Sequence, residues 1–506
     1  MERSLQRLGL TLIKNALANV VRGGATAIVA LTLPHFLTRA LDHDRFAAWA
    51  LMLQIAAYVG YLDFGIQTVV ARYFAQLMER GNYDQRDRLV STAFAMLSAA
   101  GIAALVLSWL MVWQFPRIVH GISPALLAEL RLGVLVLALS AALMLPLSVF
   151  AGVLVGLHRN EFTALTIGGS RILGATAVLV AVHYTHSLFW LAICLGFFNL
   201  FGGTLQCVIA LRMLPQMRLR VRYVSKQMAR ELLQNCLELT VYSFSMLLVS
   251  GLDILIVGYL AYGAVGYYAI SATLVTFVAG LSNSIFSAMM APVAVLQERG
   301  ELRRIRDLVI RTTQLSSYIS LVITLPVFVY GFVALKLWVG PAYARQALPI
   351  LEVLMVAQAI RLTGNSYCTM LIATGQQRYG MTVALIEASA NLVFSIVGGR
   401  WLGPIGVAWG TLIGALIAIV CLFPFSVRKA KEVPIPAWPF FLEGILRPIL
   451  VAMPVSLYLV FVHSQSPSTK DLKSLALAVG MSLALAVIFG NLLSPKSKGQ
   501  SLSHVA

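Results

Sequence analysis

Apolar runs long enough to cross about 30 Å of hydrocarbon recur along almost the whole chain, separated by short polar links. Inside lipid every backbone N–H and C=O must be satisfied within the segment or around a closed barrel. The runs are too long for barrel strands and lack their ten-residue alternation, so they read as helices. They fall near 16–38, 46–70, 89–113, 131–156, 162–182, 188–211, 232–260, 265–290, 308–335, 348–373, 381–399, 405–425, 447–463 and 473–493, about fourteen spans. With 59% hydrophobic and 11% charged residues over 506 positions, no soluble globule could cover its own surface. The chain is therefore predicted to be an all-α polytopic membrane protein. Its first apolar stretch is too long for a cleavable signal peptide and runs straight into a second span, so it is expected to be retained.

The spans are not independent of one another, because landmarks recur 219 residues apart. Phe46-Ala47-Ala48-Trp49-Ala50 falls on Val265-Gly266-Tyr267-Tyr268-Ala269, and Glu79-Arg80-Gly81 on Glu298-Arg299-Gly300. Leu89-Val90 falls on Leu308-Val309, and Gly156 with Arg159 on Gly375 with Arg378. A duplicated unit of six spans returns the chain to its starting side, so the two lobes are expected to be parallel, related by an axis along the membrane normal. The organisation expected is a first lobe over 1–211, a basic linker over 212–231 and a second lobe over 232–425. An interfacial link follows at 426–446, carrying Pro434, Pro436, Trp438, Pro439, Phe440 and Phe441, and two extra helices with a tail occupy 447–506.

Lys and Arg set the expected orientation. With the N terminus inside, Arg72, Arg80, Arg86, Arg88, Arg159, the cluster from Arg212 to Arg230, the cluster from Arg299 to Arg311, Arg378, Arg428, Lys429 and Lys496 face the cytoplasm. Far fewer face outward, chiefly Arg45, Arg117, Arg131, Lys336, Arg345, Arg400, Lys470 and Lys473. Both termini are then cytoplasmic, and the net charge of +18 is read as this bias docking on anionic lipid heads rather than on nucleic acid.

Several chemistries are absent from the pattern. Cys194, Cys207, Cys236, Cys368 and Cys421 lie inside apolar runs and form no CxxC pair, so they read as core residues. His183 and His186 have helical ligand spacing but no carboxylate or cysteine beside them, and no metal site is expected. There is no P-loop, nucleophile elbow or carboxylate pair on a soluble domain, and the outward links are too short to hold an acceptor, so the chain reads as a non-enzyme.

Charge inside the membrane is what remains, and it marks a pathway or a bound ion unless it is paired. Arg22 lies in the first span, Asp63 in the second, Arg171 in the fifth, Glu238 and Asp253 in the seventh, Arg361 in the tenth and Glu387 in the eleventh. Asp63 and Glu238 sit near predicted ends, where they could snorkel or cap. Arg22, Arg171 and Arg361 have small neighbours: Gly23 and Gly24; Gly168, Gly169 and Ser170; Thr363 and Gly364. Two arrangements fit these arginines: a cationic surface on a central aqueous cavity that binds substrate, or buried ion pairs with Asp253 or Glu387. Asp253, Glu387 and Asp63 are the candidates for a coupling ion. Asn15, Asn19, Gln54, Tyr58, Gln67, Tyr242, Asn283, Asn365 and Asn391 suit a wet lumen and interhelical bonding equally well.

The opening run LIKNALANVVRGGATAIVALTLPHFLTRAL, the second-span YVGYLDFGIQTVVARYFAQL, VGYYAISATL, LWVGPAYARQALPIL and LGPIGVAWGTLIGALIAI together resemble polysaccharide-exporting flippases of the Wzx type, within the multidrug/oligosaccharidyl-lipid/polysaccharide superfamily. The resemblance covers nearly the whole chain and departs from the usual arginine-x-leucine-glycine at Arg39-Ala40-Leu41-Asp42. It implies alternating access between two lobes, moving undecaprenyl-pyrophosphate-linked oligosaccharide across a bacterial cytoplasmic (inner) membrane for cell-surface polysaccharide, with H+ or Na+ as coupling ion and no other cofactor. It also implies a side groove for the lipid tail at the two extra helices, as in the related lipid II flippases. Guanidinium suits a diphosphate, which supports the arginines as its partners. The implied partners are the lipid-linked oligosaccharide, membrane lipids, a polysaccharide polymerase and glycosyltransferases, with no nucleic acid. Two other readings stand beside this one: a cation-coupled multidrug antiporter working through its carboxylates, and a non-transporting accessory protein of a polysaccharide assembly complex.

Overall fold

The structure, a computed structural model, describes residues 26–422 and 437–451 together with 24, 425, 427, 453 and 480. Every described regular element is helical. Arg22, the side chain of Glu238, most of the predicted thirteenth span and the rest of the fourteenth lie outside the described residues.

In chain order the helices are α1 (26–40), α2 (His43–Gly60), α3 (Ile66–Glu79), α4 (Tyr83–Ile118), α5 (Pro124–Gly156), α6 (Asn160–Tyr184) and α7 (Leu188–Met213). A linker over 214–225 leads to α8 (Lys226–Ser250), α9 (Leu252–Leu260), α10 (Val265–Glu298), α11 (Leu302–Val339), α12 (Pro341–Ala373), α13 (Gln377–Leu402) and α14 (Pro404–Leu422). A short helix α15 (Ala437–Phe441) continues through a π-helical turn, Leu442–Leu446. Ten of the described helical stretches are long and apolar enough to cross a membrane. The chain is an all-α, multi-pass membrane protein.

Local sequence explains where helices begin. Ser123, Asn82 and Ser225 cap α5, α4 and α8 by accepting N–H bonds from Leu126, Gln85 and Met228. Pro124, Pro341 and Pro404 occupy first helical positions, where a missing N–H costs nothing. Asp42, where the resembling family usually has glycine, is in extended backbone and accepts from Arg45 N at 2.7 Å, so it needs no positive φ and caps α2 instead.

The repeat is visible in the elements, since α4 begins at Tyr83 and α11 at Leu302, the same 219-residue offset. Within the first lobe α5 is central, packing on α2, α3, α4 and α7; its counterpart α12 packs on α10, α11 and α14. In lipid such contacts are held by close packing rather than by exclusion of water. The tightest is between α13 and α14, where a Cβ on Gly406 would meet the backbone of Gly398. The linker is strapped to the start of α4: Arg218, Arg220 and Ser225 donate backbone N–H bonds to Asp87 Oδ2, Ser91 Oγ and Thr92 Oγ1 at 3.1, 3.3 and 3.1 Å. Asp87 is also bound to Arg86 at 2.7 Å.

Consecutive antiparallel helices give the bundle two ends. One carries the turns around Arg80, Arg159, Arg299 and Arg378 together with the linker, and is the basic end. The other carries the turns at 41–42, 119–123, 185–187, 261–264, 340 and 403, and is the aromatic end. At the aromatic end a single core joins both lobes, with Phe46, Trp49 and Leu130 packed in one cluster with Val257, Tyr268 and Tyr343. At the basic end the described residues form two cores. Phe74, Leu89 and Phe150 belong to one, which also takes in Leu232 and Cys236 of α8, and Ile305, Tyr367, Val383 and Phe440 belong to the other.

Polar bonds reinforce the aromatic-end seal. His35 Nδ1 donates to Trp338 O at 2.5 Å, and Trp338 Nε1 returns a bond to Leu31 O at 2.7 Å. His43 Nε2 donates to Gly263 O at 2.5 Å and its ring stacks on Tyr267, centroids 4.6 Å apart. Tyr262 OH donates to Asp44 O at 2.6 Å.

Candidate functional site

Two spans predicted as single helices are interrupted. Over 46–70 the chain leaves α2 at Gly60, turns through Tyr61–Asp63, passes Phe64 (φ 52°) and Gly65 (φ 70°), and restarts as α3. Over 232–260 α8 ends at Ser250 and α9 starts at Leu252, with Gly251 between them. A broken helix leaves backbone groups that lipid cannot satisfy, so they need partners within the protein. Partners come from the other lobe: Tyr58 OH, beside the first break, donates to Gly251 O, and Thr240 Oγ1, within α8, lies 3.0 Å from Phe64 O. Gly251 is required here, because a Cβ would lie 2.7 Å from the Tyr58 ring and 2.6 Å from Leu247 O.

Asp253, in the first turn of α9, is 4% exposed. Its Oδ2 accepts from Tyr268 OH of α10 at 2.9 Å and from Thr411 Oγ1 of α14 at 2.8 Å. Its Oδ1 is buried and has no partner among the described residues. Beside it Asn391 of α13 donates to Val249 O at 2.8 Å, and Ser395 Oγ donates to Asn391 Oδ1 at 3.0 Å or to Val407 O at 3.1 Å. A buried ionised carboxylate needs more than two hydroxyl donors, and the oxygen without a partner can take a proton or a hard monovalent cation.

Arg361 and Glu387 form a second buried group. Arg361 Nε donates to Glu387 Oε1 at 2.7 Å and Nη1 donates to Gln358 Oε1 at 3.2 Å, while Nη2 has no partner among the described residues. The two side chains are 14% and 7% exposed and border a small cavity with Asn365 and Cys368 between α12, α13 and α14. Asn365 Nδ2 donates to Asn283 Oδ1 of α10 at 2.9 Å. Of the two arrangements open for Arg361, the geometry shows an ion pair with Glu387 that keeps one guanidinium nitrogen spare.

The other sequence candidates stand apart from this cluster. Arg171 is exposed on α6, with Nη1 donating to Thr26 Oγ1 of α1 at 2.6 Å. Asp63 is half-buried at the first break, with Oδ1 accepting Gly65 N–H at 3.0 Å. Arg22 lies outside the described residues. Tyr268, Ser395, Thr411 and Gln358 were not singled out by the sequence, although Asn391 and Ser395 show the one-turn spacing of polar groups on one helix face.

Comparison with known proteins bears on this geometry. The chain is 21% identical over 450 residues to the uncharacterized membrane protein EpsK of Bacillus subtilis (strain 168), covering 87% of each chain. Its fold is similar to that of the lipid II flippase MurJ in an inward closed conformation, with a TM-score of 0.72 at 14% identity over 95% of this chain and 98% of that one. An inward-facing multidrug resistance MATE family transporter of the MOP superfamily follows, with a TM-score of 0.62 at 14% identity over 80% and 98%. A MOP superfamily transporter from Pyrococcus furiosus gives 0.60 at 12% identity over 83% and 96%. At these identities the structural likeness shows a shared fold. The sequence pattern of the polysaccharide biosynthesis protein family matches residues 36–350, more than half of the chain, and the chain belongs to that family.

Proposed function

We infer that the chain translocates an undecaprenyl-pyrophosphate-linked oligosaccharide across the bacterial cytoplasmic membrane by alternating access, for cell-surface polysaccharide. The observation that carries this reading is the unequal closure of the two ends: one core and several cross-lobe bonds seal the aromatic end, while the described cores at the basic end are separate. A bundle joined across its lobes at the aromatic end, with separate cores among the described residues of the basic end, fits one of the two states such a cycle needs. The basic end, with both termini, faces the cytoplasm in this reading, as the arginine bias requires. Family membership and the fold shared with MurJ support it.

In this reading Arg22, Arg171 and Arg361 supply cations for the diphosphate, whose passage through hydrocarbon needs charged donors in place of water. Arg361 would meet it through the spare Nη2. The apolar cavity of about 610 Å3 between α11, α12, α14 and the segment after α15, with Phe328, Leu416 and Ile445 on its walls, suits the lipid tail. Asp253 is the coupling residue: a proton or Na+ on Oδ1 neutralises the carboxylate and changes how α9 is held against α10 and α14. A polysaccharide polymerase and glycosyltransferases would act on the same carrier on either side of the step. A cation-coupled multidrug antiporter is the second reading, favoured by the Asp253 site alone.

The test is made in cells of the source organism. Deleting the chain, or replacing Arg361 with Lys, should lower surface polysaccharide while undecaprenyl-linked repeat units accumulate. Lys keeps the charge opposite Glu387 but loses the two-pronged donor geometry, so a partial loss at unchanged membrane abundance is expected. Deletion with normal surface polysaccharide and no accumulated carrier would reject this function.

A further inference from the structure

At the aromatic end α1 and α6 part to form a groove of about 610 Å3, with Phe36 and Val180 exposed on its walls, that the translocation reading does not use. Its walls change character along their length. Phe36, Leu179 and Val180 line the part toward the middle of the helices, and Arg39, His183 and His186 line the part at the helix ends. No carboxylate is among the lining residues. Asp42 and Glu129, acids of the adjoining turn and helix, are turned to Arg45, each at 3.6 Å.

Arg39 is exposed and held in place from behind. Its Nη1 contacts the His35 ring and its Nη2 donates to Leu337 O at 3.3 Å, which leaves Nε–H without a partner among the described residues. The groove also sits at the depth where a membrane changes from hydrocarbon to headgroups. Tyr184 is 82% exposed and Trp190 54% exposed at the same helix ends, the position of an interfacial aromatic girdle. Cationic and imidazole donors above apolar walls, at the headgroup level and open to the side, match a molecule with a phosphate head and a hydrocarbon tail. About 18 Å deeper, twelve residues along α6, Arg171 joins the same two helices through Thr26.

We propose that the α1–α6 groove at the aromatic end binds a phosphate-headed lipid, the phosphate against Arg39, His183 and His186 and the chain along Phe36, Leu179 and Val180. The lipid stands in the leaflet at that end, which is the outer leaflet under the orientation given above; the binding itself does not depend on that orientation. The site lies at the aromatic end of the first lobe, apart from Asp253 and Arg361, and would receive a phosphate lipid that is already in the leaflet.

The test uses the purified full-length protein in detergent, native mass spectrometry and two lipids with the same acyl chains, phosphatidic acid and diacylglycerol. The unmodified protein should retain phosphatidic acid roughly ten-fold better than diacylglycerol, the size of one charge-assisted bond. Arg39→Ala and His183→Ala should each remove most of that preference. Because Arg39→Ala also frees Leu337 O, Val180→Trp serves as an independent variant that fills the groove without touching a cation, and it should lower retention equally. Inorganic phosphate at the concentration of the lipid should leave retention unchanged, and displacement by it would mean a bare anion site and overturn the lipid assignment. Equal retention of the two lipids, or unchanged retention in His183→Ala and Val180→Trp, would overturn it as well. If the chain fails as a flippase in cells but passes here, only the translocation reading falls.

Discussion

Among the described residues, the intramembrane charges of the first lobe lie near its surfaces, whereas those of the second are buried. Asp63 and Arg171 are half-buried and exposed, and each bonds to a near neighbour: Asp63 to Gly65 N–H two residues on, Arg171 to a threonine of the adjacent helix. Asp253, Arg361 and Glu387 lie inside α9–α14 with partners on four different helices and two polar atoms left over. The contrast is sharpest between the two aspartates, since both stand at an interrupted helix. At the first break the carboxylate is half-buried and accepts one N–H bond from the turn itself. At the second, both hydroxyl donors fall on Oδ2 of Asp253 and the buried Oδ1 has no partner among the described residues, which leaves it open to an ion. Duplication therefore produced two similar scaffolds with unlike chemistry.

The largest expected effect tests the burial itself. Replacing either Arg361 or Glu387 by a neutral residue leaves an unpaired charge in the interior and should lower stability by about 3–5 kcal/mol, read as thermal unfolding of the detergent-solubilised protein. The double replacement Arg361→Met with Glu387→Leu should recover most of that loss. If each single variant were as stable as the unmodified protein, the second lobe would not be the buried electrostatic centre described.

A smaller effect separates the two aspartates. Asp253→Asn keeps size and one acceptor oxygen but cannot lose and regain charge, and should cut export by about ten-fold, equivalent to about 1.4 kcal/mol of barrier, at unchanged membrane abundance. Asp63→Asn should leave export within about two-fold, because asparagine caps a turn about as well as aspartate. Equal effects at both positions would erase the distinction.

Most of the architecture was legible because hydrophobic length and the 219-residue register survive in side-chain identity. The breaks were not, since Leu-Asp-Phe-Gly at 62–65 and Ser-Gly-Leu-Asp at 250–253 keep the surrounding apolar run intact while the backbone changes direction. The Arg361–Glu387 pair was half legible. Arg361 lies twelve residues before the end of α12 and Glu387 ten after the start of α13, so counting back from the turn puts both at one depth. Hydropathy alone does not show which face of each helix they share. The Asp253 shell needed the fold, because Tyr268 and Thr411 reach it from helices far apart in sequence.

The most direct measurement reconstitutes the purified chain in liposomes containing a polyprenyl-diphosphate disaccharide confined to one leaflet, and follows its arrival in the other with a membrane-impermeant glycosidase. Disaccharide should become accessible faster than in protein-free liposomes, and Asp253→Asn should slow that arrival by about ten-fold. Arrival no faster than in protein-free liposomes, in the presence of both a Na+ and a proton gradient, would contradict translocation of this lipid by the chain.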